Sequence, residues 1–149
     1  MSDDLLVSCV DQSAIDGFLS MLRHKYKDIK VETDVVLGYL GLSFDFRVRG
    51  EVSITAPGFT KDLLASCRPT GKAITPATDF LFDVRPSDTA VKASLEGVEY
   101  FHSYVAKLLY LGKRVRPEIL AAVSFLTTRI NPCDNDDMNK LARVLSYLT

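Results

Sequence analysis

From Leu40 to Val48 apolar residues fall on every second position, and from Val98 onward they recur at three- and four-residue intervals. A period of two suits a half-buried strand and a period of 3.6 suits a helix; neither pattern fits the other geometry without turning its apolar side chains to water. The chain is therefore expected to be α+β, with its sheet in the first part and its helices in the last. Between them, Arg68 to Ser94 contains Pro69, Gly71, Pro76 and Pro86 and no sustained period. That is longer than an ordinary connection inside a compact domain, so it reads as a linker or a wrapped loop, with Phe80, Leu81 and Phe82 available as anchors. The organisation predicted is a strand–helix–hairpin part over 1–67, the irregular stretch over 68–94 and a helical bundle over 95–149.

Within the first part, Leu5 to Val10 reads as a short buried strand closed by Asp11-Gln12. Ser13-x-x-Asp16 has the form of a capping box, and Ile15, Phe18, Leu19, Leu22 and Tyr26 follow it at helical spacing, opposite Arg23, Lys25 and Lys27. Leu40, Leu42, Phe44, Phe46 and Val48 then alternate with polar or small residues; Arg49-Gly50-Glu51 can turn the chain, and Val52 and Ile54 continue on the return. Pro57-Gly58 ends this hairpin, and Phe59 to Ser66 can form a short helix burying Phe59 and Leu63.

Three stripes define the bundle: Val98, Phe101, Val105, Leu108 and Leu109; Ile119, Leu120, Val123, Leu126, Thr127 and Ile130; and Met138, Leu141, Leu145 and Leu148. Pro117 sits where the first turn of the second helix accepts a proline, Asn131-Pro132 stops that helix, and Asp134 or Asn135 can cap the third.

With 47% hydrophobic and 25% charged residues the 149-residue chain is compositionally globular, and its net charge of −1 means that any nucleic-acid argument must rest on local clusters. Cys9, Cys67 and Cys133 are widely spaced and include no C-x-x-C pair, which favours neither a disulfide framework nor a zinc site and fits a reducing, intracellular setting. No apolar run approaches the ~20 residues needed to cross a bilayer, and the acidic start lacks the basic region of a signal peptide. No membrane partner is expected. His24 and His102 have no metal-ligand spacing, and there is no glycine-rich phosphate loop or nucleophile elbow.

Asp3-Asp4, wedged before Leu5-Leu6-Val7, is the one pair that suggests chemistry. Adjacent carboxylates at a turn are ordinarily a solvated turn; followed at once by a strand, they are also how polymerases present metal ligands. The rest of the chain supplies context. Asp3-Asp4-Leu5-Leu6-Val7 resembles the Y-x-D-D-L-L segment of copia-type LTR retrotransposon (pseudoviral) reverse transcriptases, and Tyr39-Leu40-Gly41-Leu42 resembles their F-L-G-I stretch. In the same order follow Asp62-Leu63-Leu64, Thr75-Pro76, and Phe101-His102-Ser103-x-Val105-Ala106-Lys107-Leu108-Leu109-Tyr110-Leu111, which is similar to Y-R-S-L-V-G-x-L-L-Y-L. Arg116-Pro117-Glu118-Ile119, Ala122-Val123-Ser124 and Arg143-Val144-Leu145-x-Tyr147-Leu148 complete the series.

The resemblance implies the C-terminal palm and thumb of an RNA-directed DNA polymerase. Asp3 and Asp4 would be catalytic metal ligands for Mg²⁺ in the complete parent enzyme, because two hard cations that activate a primer hydroxyl and stabilise pyrophosphate call for carboxylate oxygens. The family's further aspartate, its fingers and much of its palm would precede Met1, and Met1 and Ser2 stand where the family has tyrosine and an apolar residue. Two carboxylates alone cannot position two metals with the accuracy catalysis needs, so the chain by itself is expected not to polymerise.

Tyr39, Leu40 and Gly41 would belong to the primer grip, glycine permitting close backbone approach; the plainer reading is a hairpin with one glycine. Ala106 and Lys107 would lie on the thumb helix along the duplex, with Lys113, Arg114 and Arg116 extending a basic patch; the plainer reading is a solvated helix end that favours its dipole. The implied partners are an RNA–DNA or DNA primer-template duplex and the remaining polyprotein, fingers, N-terminal palm and RNase H, in the cytoplasm, a virus-like particle or the nucleus. The competing expectation is a non-catalytic retroelement remnant, a nucleic-acid-binding or purely structural helical module.

Overall fold

A computed structural model describes residues 4–67, 71–86, 89–131 and 133–149. Asp3 and Pro132 lie outside the described residues, and the helix expected to run to Ile130 and stop at Asn131-Pro132 already ends at Thr127. The fold is α+β and divides into two compact units, Met1–Thr55 and Ala56–Thr149.

In the first unit α1 spans Gln12–Lys25. Its cap is Asp11, whose carboxylate accepts the Ser13 N–H at 2.9 Å and the Ser13 hydroxyl at 2.8 Å, bonds that lower its pKa. The expected Ser13-x-x-Asp16 box is therefore displaced: a short acidic side chain two residues ahead of the orphan N–H reaches it directly, and Asp16 accepts from Gln12 instead. Ile15, Phe18, Leu19 and Leu22 do form a stripe, but it is only half-buried, and Tyr26 is exposed.

The strand expected over Leu5 to Val10 does not form. Among the described residues this segment has no ladder partner, and Leu5, Val7 and Val10 are exposed; a short apolar run keeps strand geometry only when a neighbour takes its backbone hydrogen bonds.

The sheet has the antiparallel order β1 (Val36–Tyr39), β2 (Leu42–Asp45), β3 (Ser53–Thr55), with Tyr39 opposite Leu42 and Phe44 opposite Leu37 and Ile54. The alternation from Leu40 to Val48 is thus not one strand. Leu40 and Gly41, at φ 49° and 76°, make a two-residue reversal of the kind that matches the right-handed twist of flanking strands. β2 ends at Asp45, whose carboxylate turns aside to accept the Arg47 N–H at 3.0 Å and Nε at 2.9 Å. The turn at Arg49-Gly50-Glu51 forms as expected, closed by Glu51 N–H to the Val48 carbonyl at 3.1 Å with Gly50 at φ 84°. Among the described residues of this unit only Leu42 is a buried apolar side chain.

The second unit holds the principal core. It comprises α2 (Pro57–Ser66), α3 (Leu95–Arg114), a 3₁₀ turn (Pro117–Ile119), α4 (Leu120–Thr127) and α5 (Asn135–Tyr147). Ser94 caps α3 through the Gly97 N–H, and Pro117 opens the 3₁₀ turn where its missing donor costs nothing. Phe101, Val105, Leu108 and Leu111 of α3 meet Ile119, Val123 and Leu126, and Leu141, Val144 and Leu145 of α5, all nearly inaccessible. Each contributes about 1.5–3 kcal/mol by leaving water. Gly112 permits the closest approach: a β-carbon there would lie 3.0 Å from Leu120 Cδ2 and 3.2 Å from Ile119 Cγ1.

The described residues between α2 and α3 are bound to this unit as an antiparallel strap on α5. Thr149 Oγ1 donates to the Gly71 carbonyl at 3.4 Å, Ala73 N–H to the Ser146 carbonyl at 3.1 Å and Arg143 to Thr75 at 2.9 Å; Lys140 reaches the Asp83 carbonyl, Arg85 pairs with Asp136, and Lys92 bridges to Asp134. Leu81 is buried and Phe82 meets Phe125 edge-on, whereas Phe80 stays exposed.

Candidate nucleic-acid interface

α3 is amphipathic from Phe101 to Leu111, where Phe101, Tyr104, Val105, Leu108 and Leu111 all face the bundle. At about 100° per residue, Ala106, Lys107, Lys113 and Arg114 fall within roughly 120° of arc on the opposite side. Ala106, Lys113 and Arg114 are exposed and Lys107 is half-buried. The first half of the same helix carries exposed Glu96 and Glu99. The positive character is therefore confined to the C-terminal turns, where cations also offset the helix dipole.

Two of the three cations on α3 are seated on rings. Lys107 Nζ lies 4.9 Å from the Tyr104 ring centroid, and Tyr104 packs on Tyr100 at 4.3 Å; Arg114 Cζ lies 5.5 Å from the Tyr110 ring, which packs on Phe59 of α2 at 5.0 Å. A cation over an aromatic face gains about 0.5–1 kcal/mol at an exposed site, enough to bias its position. These ring seats were not anticipated from the sequence. The i, i+4 and i+7 spacing of Tyr100, Tyr104 and Lys107, and the i, i+4 spacing of Tyr110 and Arg114, carry the information.

Arg116 differs from the other cations. It follows α3, pairs with Glu118, and lies 5.5 Å over the Tyr147 ring. Burial disfavours its charge, but the hydrogen bonds and charges of Glu118 and Tyr147 together raise its pKa. Its guanidinium is already compensated and is a weaker phosphate ligand than Lys113 or Arg114.

Tyr39, Leu40 and Gly41 sit together at the β1–β2 reversal in the first unit, Tyr39 half-buried and Leu40 and Gly41 exposed. Beyond its chain neighbours no described atom lies within 4 Å of where a Gly41 β-carbon would be, and its positive φ favours glycine here. Tyr39 packs on Phe44 at 6.5 Å.

Asp4 is exposed in irregular backbone, and its intended neighbour Asp3 is outside the described residues. Among the described residues no three His, Cys, Asp or Glu side chains converge into a metal site. His24 and His102 are both exposed, Cys9 is exposed, and Cys67 and Cys133 are buried free thiols. Burial pushes the Cys133 thiol up to about 11, with Asp137 and Asp134 adding to the shift. Among the described residues no helix is long and apolar enough to cross a membrane.

The chain matches no protein-family model, no curated protein and no solved structure.

Proposed function

We propose that this chain is the palm-and-thumb portion of a copia-type retrotransposon reverse transcriptase, that it contributes to holding a primer-template duplex, and that it does not polymerise alone. The observation that carries this reading is the exposed face of α3, where Lys107, Lys113 and Arg114 surround the small Ala106. A small residue lets a duplex backbone approach and the cations meet its phosphates, giving sequence-independent binding. The ordered series of short motifs supports the family, and the hairpin at Tyr39-Leu40-Gly41 is compatible with a primer grip. On this reading Mg²⁺ belongs to the complete parent enzyme, where Asp3 and Asp4 join carboxylates from the remaining polyprotein, and the setting is intracellular or a virus-like particle.

A titration of an RNA–DNA hybrid against the full chain at rising salt tests this. Three phosphate contacts predict a slope of log affinity on log salt of roughly −2 to −3, and Lys107→Ala with Arg114→Ala should bring it to about −1. Binding that ignores salt, or none, refutes the duplex reading.

One observation favours a second reading, a non-catalytic helical module left from a retroelement. Nearly all buried apolar side chains among the described residues belong to the Ala56–Thr149 unit. A chain that folds but binds no hybrid would leave this purely structural role.

A further inference from the structure

Thr75 is exposed in irregular backbone and is followed by Pro76. Its hydroxyl accepts a hydrogen bond from Arg143 Nη2 at 2.9 Å and donates to the Ala77 carbonyl at 2.8 Å. On the same guanidinium, Arg143 Nε is buried and has no hydrogen-bond partner among the described residues. A buried donor without an acceptor is costly and uncommon. Nε and Nη2 form one edge of the guanidinium, the fork with which arginine grips two oxygens of a phosphate or carboxylate. One tine is on Thr75 and the other is unfilled.

We propose that Thr75 is a phosphorylation site and that Arg143 is its receiver, so that the phosphate occupies both donors and locks the strap onto α5. The reaction class is phosphoryl transfer from a nucleoside triphosphate by a protein kinase that reads threonine followed by proline. The Thr75 Oγ1–phosphorus bond forms, the bond from the γ-phosphorus to its bridging oxygen breaks, the nucleoside diphosphate leaves with that oxygen, and the hydroxyl proton passes to the kinase's base. The hydroxyl's donation to Ala77 is lost. In exchange the Arg143 fork gains a dianionic acceptor where it had a neutral one, and charge-assisted bonds are about twice as strong as neutral ones. Arg143 lies on α5 and Thr75 on the strap, so the new contact joins the same two segments as the Ala73–Ser146 hydrogen bond. This inference is independent of the polymerase reading.

The test treats the full chain with a proline-directed Ser/Thr kinase and ATP, and locates the phosphate by mass spectrometry. A ³¹P NMR titration of the product should give a second phosphate pKa below the usual value of about 6, returning to about 6 in Arg143→Gln and lying between in Arg143→Lys. Exchange of the Ala73 amide, which reports strap docking, should slow by about tenfold in the phosphorylated unsubstituted chain, a readout that needs no variant to fold. Failure to place phosphate on Thr75 overturns the proposal. So does a phosphothreonine that titrates as it does in urea while Ala73 exchange is unchanged.

Discussion

Arg129→Met removes the cation from the most deeply buried ion pair among the described residues. Arg129 Nε donates to both Asp137 oxygens at 3.2 Å, with Asp137 2% exposed and the Arg129 side chain 15% exposed. Asp137 also accepts the Asp134 N–H at 3.2 Å, closing the capping box that starts α5. Methionine keeps most of the arginine stem's packing, so the substitution mainly strands a buried carboxylate. Removing one partner of a buried pair costs about 3–5 kcal/mol. The remaining Asp134 N–H and the slight exposure of the site place this case near the lower limit, about 3 kcal/mol.

With a urea dependence of about 1–3 kcal/mol per molar, the midpoint followed by far-UV ellipticity should fall by roughly 1–3 M. Arg85→Met is the internal control. It removes one of two cations paired with Asp136, one residue away, leaving Lys140 at 3.0 Å; the lost pair is 3.5 Å long with side chains 55% and 27% exposed, and an exposed pair contributes about 0–1 kcal/mol. If Arg129→Met costs less than about 1 kcal/mol, or no more than Arg85→Met, then burial does not govern this pair and the reasoning fails.

Gly112→Ala sets a helix-propensity gain of about 1 kcal/mol against overpacking of about 1–3 kcal/mol on Ile119 and Leu120; because Ile119 is fully buried and cannot give way, the net should be a loss of about 1 kcal/mol, seen as a drop in Tm. Iodoacetamide at pH 8 should modify exposed Cys9 well before Cys67 and Cys133, as mass spectrometry of timed quenches would register. The raised Cys133 pKa keeps its thiol neutral in the fold, so its contribution to stability should be intact below pH 9 and fade as pH rises to about 11; unfolding of the unsubstituted chain compared with Cys133→Ala across that window checks the sign.

The helices of the second unit were legible because each satisfies its own backbone and needs only a stripe to show its inner face. Phe101, Val105, Leu108, Ile119, Val123, Leu126, Leu141 and Leu145 were named from spacing, and all are buried. The caps were less legible, since a cap depends on which short oxygen reaches the orphan N–H. Asp134 does so for α5 as expected, while Asp11 displaces Ser13 at α1. The exposed basic face of α3 was equally open to reading, yet Arg116, which follows it and is paired with Glu118, was not set apart. Arg116-x-Glu118 stood in the sequence, but the 3₁₀ turn from Pro117 and the return of Tyr147 on α5 are what gather all three side chains.

Strands fail differently, because a period of two says which face a residue takes and nothing about whether a neighbour exists. Leu5 to Val10 has the composition of a strand and no partner among the described residues, so it stays irregular and mostly exposed. Leu40 to Val48 has the alternation of one strand, but the positive φ at Leu40 and Gly41 folds it back and gives Leu42 to Asp45 two neighbours in place of a longer unpaired run. Leucine in that conformation is strained, so the reversal persists because pairing on both sides of β2 outweighs the local cost. The same reasoning explains the contrast in burial between the two units. Short strands of four, four and three residues bury one apolar side chain among those described, whereas three mutually packed helices bury a continuous core, so the chain's stability is concentrated where its pattern was easiest to read.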